Sequence, residues 1–216
     1  MMPVGVFGVP LWAELAAAGL GGLQGALFAA TIRERRIDVL GVMILGLAVA
    51  LGGSLMRDVM LNQPPVVVWS SWYLVVAALA ALLGMAVEPF LRHLDSVVLV
   101  LDAVVIGTFG AIGTSKALAL GVGEVGALLI GIVGGVGGSI VRDLLLGRPV
   151  ELLHVGSLFA VAAGAGSSAL LVLDALGVPV MIAGPVCIAV TAAVRLGAVR
   201  FGWTFPEQRS LIRPRV

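Results

Sequence analysis

Long apolar segments separated by short charged ones dominate this sequence and limit the folds open to it. Seven segments are long enough to cross the hydrocarbon core of a bilayer, which takes about 20 apolar residues in a helix. These predicted spans cover residues 10–32, 39–62, 72–91, 97–118, 125–147, 152–173 and 178–199. Because 60% of the 216 residues are hydrophobic and only 12% are charged, lipid rather than water must surround most of the chain. We therefore predict an all-α membrane protein with seven transmembrane helices.

Basic residues in the connecting segments predict how the chain is oriented, since short loops rich in Lys and Arg stay in the cytoplasm. The first, third and fifth predicted loops and the tail carry Arg33, Arg35, Arg36, Arg92, Arg148, Arg200, Arg209, Arg213 and Arg215. The second, fourth and sixth loops contain no Lys or Arg. This alternation predicts an N-terminus outside and a C-terminus in the cytoplasm. No positive charge precedes the first apolar segment, so we expect it to be retained rather than cleaved as a signal peptide.

The motif Gly-Gly-Ser-x-x-Arg-Asp occurs twice, once in the second predicted span and once in the fifth. The motif residues are Gly52, Gly53, Ser54, Arg57 and Asp58 in the first copy, and Gly137, Gly138, Ser139, Arg142 and Asp143 in the second. Aligning the preceding spans places Glu14 opposite Asp102, so the repeat unit is three spans. Because three is odd, the two copies cross the membrane in opposite directions, as an inverted repeat. The seventh span has no counterpart and is predicted to be an accessory helix.

These boundaries give one transmembrane domain over residues 1–209. Within it, repeat one covers about 10–92, repeat two about 97–174 and the seventh helix about 178–199. Residues 203–216 are predicted to form a cytoplasmic tail.

The paired glycines permit two interpretations. Glycine inside a helix costs about 1 kcal/mol relative to alanine, and here it is concentrated at the centres of two spans. The glycines can kink these helices and free carbonyls that line a polar path, or they can let two helices pack closely without any pore. Ser54 and Ser139 can satisfy a carbonyl or line such a path. The mirrored Arg-Asp pairs favour the polar path, because charges at membrane depth are costly and usually functional.

Charged residues within the spans are expected to be paired. Consecutive residues on a helix do not face each other, so we predict that Glu14 pairs with Arg57 and that Asp102 pairs with Arg142. Lys116 is expected either to extend toward the membrane surface or to line the outer mouth of a path. Asp58 and Asp143 are expected either to cap loop amides or to attract cations.

Several further residues are expected at the membrane interfaces or in packing roles. Arg195 and Glu88 are predicted to be interfacial, and Trp69, Trp72 and Tyr73 to form an aromatic belt at the outer interface. Cys187 is read as a small packing residue.

The pattern excludes several classes of function. The serines have no His-Asp partner, and no phosphate-binding loop or metal-ligand spacing occurs, so we predict neither an enzyme nor a metal site. The histidines His93 and His154 are expected to be solvated loop residues. A net charge of +1 excludes an extended nucleic-acid interface. A channel, a secondary transporter and a structural membrane subunit remain.

The doubled motif, the turn at residues 33–38 before its first copy and the 3+3+1 layout together resemble the trimeric intracellular cation (TRIC) channel family, in particular its bacterial and archaeal members. The resemblance covers about residues 10–200. The family motif often has glycine at its third position, where this chain has Ser54 and Ser139.

The resemblance implies a homotrimer in a prokaryotic inner membrane, in contact with lipid and without a cofactor. Each protomer would conduct potassium between its two repeats, with the motif residues of both copies lining the pore and Glu14, Asp102 and Lys116 as supporting charges. The alternative is a secondary transporter of a small zwitterionic metabolite, whose carboxylate and amine an Arg and an Asp could bind.

Overall fold

The computed structural model describes residues 9–32, 36–91, 93–153 and 158–204. The predictions made for Arg33, Arg35, Arg92, His154, Arg209, Arg213 and Arg215 lie outside these residues. Within the described part of the chain, regular secondary structure is entirely helical.

Seven long helices account for most of the described chain. They are α1 (Leu11–Ala30), α2 (Val39–Met60), α3 (Ser71–Val87), α4 (Leu94–Ala119), α5 (Glu124–Leu145), α6 (Phe159–Ala175) and α7 (Val180–Phe201). A single-turn helix, Val66–Trp69, precedes α3, and 3₁₀ turns occupy Glu88–Phe90 and Glu151–Leu153. Six segments are long and apolar enough to cross a membrane, with α3 counted together with its 3₁₀ turn as Ser71–Phe90, whereas α6 is apolar but has only 17 residues. The prediction of seven spans is therefore correct for six, and the remaining one is a shorter helix.

The largest boundary difference lies at the sixth predicted span, which was expected to begin at residue 152. The structure has a 3₁₀ turn at Glu151–Leu153, and α6 begins only at Phe159. The backbone N–H of Glu151 donates a hydrogen bond to Asp143, which ties the turn to the end of α5. Hydropathy alone does not detect this constraint, because the turn residues after Glu151 are themselves apolar.

Local signals explain most helix ends. Asp38 caps α2 by accepting a hydrogen bond from the N–H of Gly41 at 2.7 Å. Glycines with positive φ follow the last turns of α4, α5, α6 and α7, where a left-handed residue closes a helix without steric cost: Gly121, Gly147, Gly177 and Gly202. Asn62 takes the corresponding conformation after α2.

The two repeats run in opposite directions. Leu45, near the start of α2, packs in one cluster with Leu146, just after α5. Leu61, just after α2, packs beside Ala127 and Ile130 near the start of α5. The two helices are thus antiparallel, and the predicted inverted repeat is confirmed. The accessory helix α7 packs on α4, where Cys187 is fully buried as predicted for a packing residue.

Candidate functional site

Helices α2 and α5 touch through their backbones at the repeated motif. A β-carbon placed on Gly53 would collide with the carbonyl oxygen of Gly134, and one placed on Gly138 would collide with the carbonyl oxygen of Val49. Gly53 and Gly138 occupy equivalent positions in the two repeats, as do Val49 and Gly134. The contact is therefore reciprocal, as two-fold symmetry requires.

We call this contact the glycine crossing, formed by Gly52, Gly53, Gly137 and Gly138. A β-carbon on Gly137 would lie 2.8 Å from the Cα of Gly53, and one on Gly52 would lie 3.1 Å from the Cα of Gly138. Only residues without side chains permit so close an approach of two helices. Of the two interpretations drawn from the sequence, close packing is the one that this conformation displays.

Both helices continue through the glycine crossing without interruption. The hydroxyl of Ser54 donates to the carbonyl oxygen of Leu51 at 2.9 Å, and that of Ser139 donates to the carbonyl oxygen of Val136 at 2.7 Å. The two serines thus satisfy carbonyls of their own helices, one of the two roles expected for them.

Beside the glycine crossing, toward the end of α2, lies the first charge cluster, formed by Glu14, Arg57, Asp58, Tyr73 and Lys116. Asp58 Oδ1 accepts from Arg57 Nε and from Lys116 Nζ, both at 2.9 Å. All three of these side chains are at most 2% exposed. One carboxylate therefore pairs with two cations that come from different repeats.

The predicted pair of Glu14 with Arg57 is wrong as a direct contact. Arg57 binds its sequence neighbour Asp58, because its long side chain lets the guanidinium reach the next residue although the two Cβ atoms diverge. Glu14 instead accepts a hydrogen bond from the hydroxyl of Tyr73. Glu14, Ser54 and Arg57 share a cavity of about 10 Å³, which is about the space that one water molecule occupies.

Two other predictions for this cluster are also wrong. Lys116 neither extends to the membrane surface nor stands at a mouth, because Asp58 provides a buried partner across the repeats. Tyr73 is only 5% exposed and takes no part in an aromatic belt, whereas Trp69 and Trp72 are exposed as expected.

The second charge cluster lies toward the end of α5 and is formed by Gln24, Asp102, Arg142, Asp143, Glu151 and Arg195. Arg142 Nη2 lies 2.8 Å from Asp143 Oδ1 and 3.6 Å from Glu151 Oε2. Arg142 Nη1 lies 4.0 Å from Asp102 Oδ1, so the predicted pair is confirmed. Gln24 Nε2 also donates to Asp102, at 3.2 Å.

The accessory helix α7 contributes to the second cluster. Arg195 was predicted to be interfacial, but it is 7% exposed, and its Nε lies 3.7 Å from Asp102 Oδ2. Its guanidinium also lies 3.8 Å from the centroid of the Phe159 ring. The position of Arg195 near the end of an apolar helix suggested that its side chain is solvent-exposed. It is buried because its partner, Asp102, lies on another helix, α4.

Each repeat also reaches into the charge cluster of the other. Phe28 and Lys116 occupy equivalent positions near the ends of α1 and α4. Lys116 binds Asp58 of repeat one, and the Phe28 ring packs on the guanidinium of Arg142 of repeat two, with the carbon Cζ 3.6 Å from the ring centroid. A cation–π contact thus replaces an ion pair at the equivalent place. The sequence alignment pairs these two positions but does not indicate that they cross between repeats.

The motif aspartates have a second function in common. Asp58 Oδ2 accepts from the backbone N–H of Val66 at 3.1 Å, and Asp143 Oδ2 accepts from that of Glu151 at 3.0 Å. Each donor lies eight residues after its aspartate. Of the two roles predicted for these aspartates, capping of loop amides is confirmed.

The family model described as "Glycine transporter" matches residues 11–89 and 99–175, which correspond to the two repeats. The UPF0126 inner membrane protein YadS of Escherichia coli (strain K12) is 31% identical over 198 residues, which are 90% of this chain and 94% of that protein.

Two solved structures share the fold. The TRIC trimeric intracellular cation channel orthologue from Rhodobacter sphaeroides matches with a TM-score of 0.79 and 27% identity, over 89% of this chain and 98% of that one. A structure described as the structural basis for conductance through TRIC cation channels matches with a TM-score of 0.74 and 27% identity, over 91% of this chain and 96% of that one.

Proposed function

The chain belongs to the TRIC-like membrane protein family whose model is described as "Glycine transporter" and whose relatives include the UPF0126 proteins, and on this premise we propose that it is a potassium-conducting cation channel. The ion path would run between α2 and α5, from one charge cluster to the other. The residues that line it would be the ten motif residues of the two repeats, with Glu14, Asp102 and Lys116 as supporting charges.

One observation carries this proposal: two internally paired charge clusters, whose arginines and motif aspartates are buried, flank the glycine crossing. At 1.5 Å per residue, Arg57 and Arg142 lie about 8 Å to either side of it along their helices. Purely structural contacts favour apolar side chains, since replacing buried ion pairs by apolar residues is often neutral or stabilising. Charges retained in mirrored positions along two central helices therefore support a route for ions.

We interpret the conformation described above as closed. The backbones meet at the glycine crossing, and the cavity beside Arg57 has room for about one water molecule. Opening requires α2 and α5 to separate, and glycines offer no interlocking side chains that would resist this. Carbonyls together with the hydroxyls of Ser54 and Ser139 would then supply oxygens to the ion. Arg57 and Arg142 would not repel the ion, because each is paired with an aspartate.

The assembly and placement that accompany this function are also proposals. We expect a homotrimer in a prokaryotic inner membrane, since two of the similar structures are of TRIC channels. The distribution of basic loops supports an N-terminus outside and a C-terminal tail, residues 203–216, in the cytoplasm. The permeant potassium ion is the substrate, and no cofactor is proposed.

The second candidate is a secondary transporter of a small zwitterion such as glycine. The family description supports it, and both charge clusters pair arginines with carboxylates that could exchange for the two ends of an amino acid. Transport and conduction differ in kinetics, because a transporter saturates and supports counterflow, whereas a channel gives unitary current steps.

One pair of measurements on the purified full chain separates the candidates. In planar bilayers under a KCl gradient, the channel predicts unitary currents that reverse near the potassium equilibrium potential. In glycine-loaded liposomes, it predicts no counterflow of labelled glycine above that of protein-free liposomes. Saturable counterflow without unitary currents would overturn the channel and establish the transporter.

A further inference from the structure

Tyr73 and Phe159 occupy equivalent positions in the two repeats. Each packs in an apolar cluster of its own repeat, and further members of the two clusters correspond in pairs: Ala18 with Ile106, Leu51 with Val136, and Ala77 with Ala163. The two aromatic rings therefore stand at the same place in their repeats, and they differ by one phenolic hydroxyl.

That hydroxyl holds the acid of repeat one. Tyr73 donates a hydrogen bond to Glu14, which links α3 to α1. The counterpart of Glu14 in repeat two is Asp102, and the counterpart of Tyr73 is Phe159, which has no hydroxyl to donate. The carboxylate of Asp102 therefore needs a partner that repeat two does not supply at this position.

Arg195 contacts both residues that replace the pair of repeat one. Its Nε lies 3.7 Å from Asp102 Oδ2, and its Cζ lies 3.8 Å from the centroid of the Phe159 ring. It belongs to α7, the helix without a counterpart in the repeats. A cation from outside the repeats thus stands where repeat one uses a tyrosine hydroxyl.

Close packing of α7 on α4 brings Arg195 to this place. A β-carbon on Gly107 of α4 would lie 2.8 Å from the Cα of Ile188 and 3.2 Å from the Cβ of Thr191. Arg195 follows Thr191 by about one turn, and Asp102 precedes Gly107 by little more than one turn. Because the two helices run antiparallel at this contact, both side chains lie on the same side of it.

Asp102 depends on Arg195 for much of its compensation. Its other cation, Arg142, is 4.0 Å from Oδ1 and is held more closely by Asp143, at 2.8 Å. Asp102 is 7% exposed, and a buried carboxylate without a close cation is costly. With Arg195 on Oδ2, the atom Oδ1 faces Gln24 and Arg142.

We propose that Arg195 is a positioning residue, which holds Asp102 in repeat two as the hydroxyl of Tyr73 holds Glu14 in repeat one. It pairs with Oδ2 and thereby keeps Oδ1 directed at Arg142, so that α7 completes the second charge cluster. The effect on conduction rests on the proposed function, because Arg142 lies beside the proposed ion path, whereas the pairing itself does not.

The test transplants the pair of repeat one into repeat two, with thermal unfolding of the full chain in detergent followed by circular dichroism. Arg195→Met should lower the melting temperature. Adding Asp102→Glu and Phe159→Tyr recreates the pair of Glu14 with Tyr73 and should recover most of this loss. The matched control carries Asp102→Glu and Arg195→Met, lacks only the new hydroxyl and should stay destabilised. Arg200→Met removes an exposed arginine of α7 and should leave the melting temperature unchanged.

A role of Arg195 in filling space alone predicts the opposite order of the transplant and its matched control. The added hydroxyl would then be buried without a partner and would cost stability. A transplant no more stable than the matched control would overturn the proposal. If Arg195→Met does not fold, a transplant that fails to restore folding would overturn it as well.

Unitary potassium currents in planar bilayers at low KCl, where charges are weakly screened, give a readout that packing alone does not change. Without Arg195, Asp102 no longer directs Oδ1 at Arg142, whose charge then repels cations. We expect a smaller current in Arg195→Met and recovery in the transplant. A larger current, as expected if Arg195 acted only through its own charge, or an unchanged one would overturn the proposal. Absence of currents in the unsubstituted chain would instead overturn the proposed function, and the melting temperatures would still decide the pairing.

Discussion

At the scale of single residues, Asp58 illustrates how a charge becomes tolerable inside a bilayer. Its Oδ1 binds Arg57 and Lys116, its Oδ2 accepts from the N–H of Val66, and it is fully buried. Removing this carboxylate takes away the anionic partner that Arg57 and Lys116 share, and breaking a buried ion pair costs far more than the intact pair contributes.

We predict that Asp58→Asn lowers the free energy of unfolding by about 3–5 kcal/mol, since breaking a buried ion pair costs this much. Lys116→Met, which leaves Arg57 and Asp58 paired, should cost less. The double variant should lie between them, because it loses the carboxylate but buries one cation fewer than Asp58→Asn. Chemical unfolding in detergent micelles, followed by circular dichroism, measures the three losses. This order would be contradicted if the double variant were as unstable as Asp58→Asn, or if Asp58→Asn were as stable as the unsubstituted protein.

The sequence predicted only part of this pairing. The pair of Asp102 and Arg142 could be predicted from the repeat register, because both residues lie in the same repeat at similar depth. Two contacts could not be predicted in this way, because each joins residues of different repeats: Lys116 with Asp58, and Phe28 with Arg142. The pairing of Arg57 with Asp58 was not expected, because the Cβ atoms of consecutive helical residues point in different directions. That rule neglects the length of the arginine side chain.

At the scale of helices, apolar length predicted which segments are helical, and the turn at Glu151–Leu153 was missed because its residues after the glutamate are apolar. The function of the glycines could not be decided in advance. Glycine permits both a kink and a close approach, and only the position of the facing backbone distinguishes them. Here the carbonyl of Gly134 occupies the space that a side chain at Gly53 would need.

We predict that Gly53→Ala destabilises the protein by about 1–3 kcal/mol, the usual cost of overpacking, because the added methyl group meets backbone that cannot rotate away. Gly138→Ala should cost the same within error, since the contact is reciprocal.

Gly197→Ala on α7 is the matched control. A β-carbon there would make only ordinary contacts, 3.6 and 3.7 Å from the Trp203 ring, so this variant should be unchanged or more stable by up to about 1 kcal/mol. Thermal unfolding of the three variants in one detergent measures these differences. If Gly53→Ala behaved like Gly197→Ala, the two helices would not be in contact at the glycine crossing.

At the scale of the whole molecule, the inverted repeat followed from two facts of the sequence: a duplicated motif and an odd number of spans per copy. The exchange of residues between the repeats could not be predicted, because it depends on how the antiparallel halves pack. The orientation in the membrane stays a prediction from the basic loops.

Single-cysteine labelling tests the orientation, because Cys187 is the only cysteine and can be replaced by alanine. In that background, Glu124→Cys should react with a membrane-impermeant maleimide in intact spheroplasts, whereas His93→Cys should react only after lysis. Both residues are exposed. His93 directly precedes the start of α4, whereas Glu124 begins α5 shortly after α4 ends, so α4 separates the two labelling sites. The reverse pattern would place the N-terminus in the cytoplasm.

Cysteine modification during single-channel recording shows whether ions pass between α2 and α5 once the glycine crossing separates. In the Cys187→Ala background, Ser54→Cys and Ser139→Cys channels are exposed to a small cationic methanethiosulfonate reagent, with Glu124→Cys as the control outside the path. We predict that modification at either serine position reduces the unitary potassium current and that modification at residue 124 does not. Unchanged currents after modification confirmed by mass spectrometry, or cysteines that stay unmodified in open channels, would contradict it.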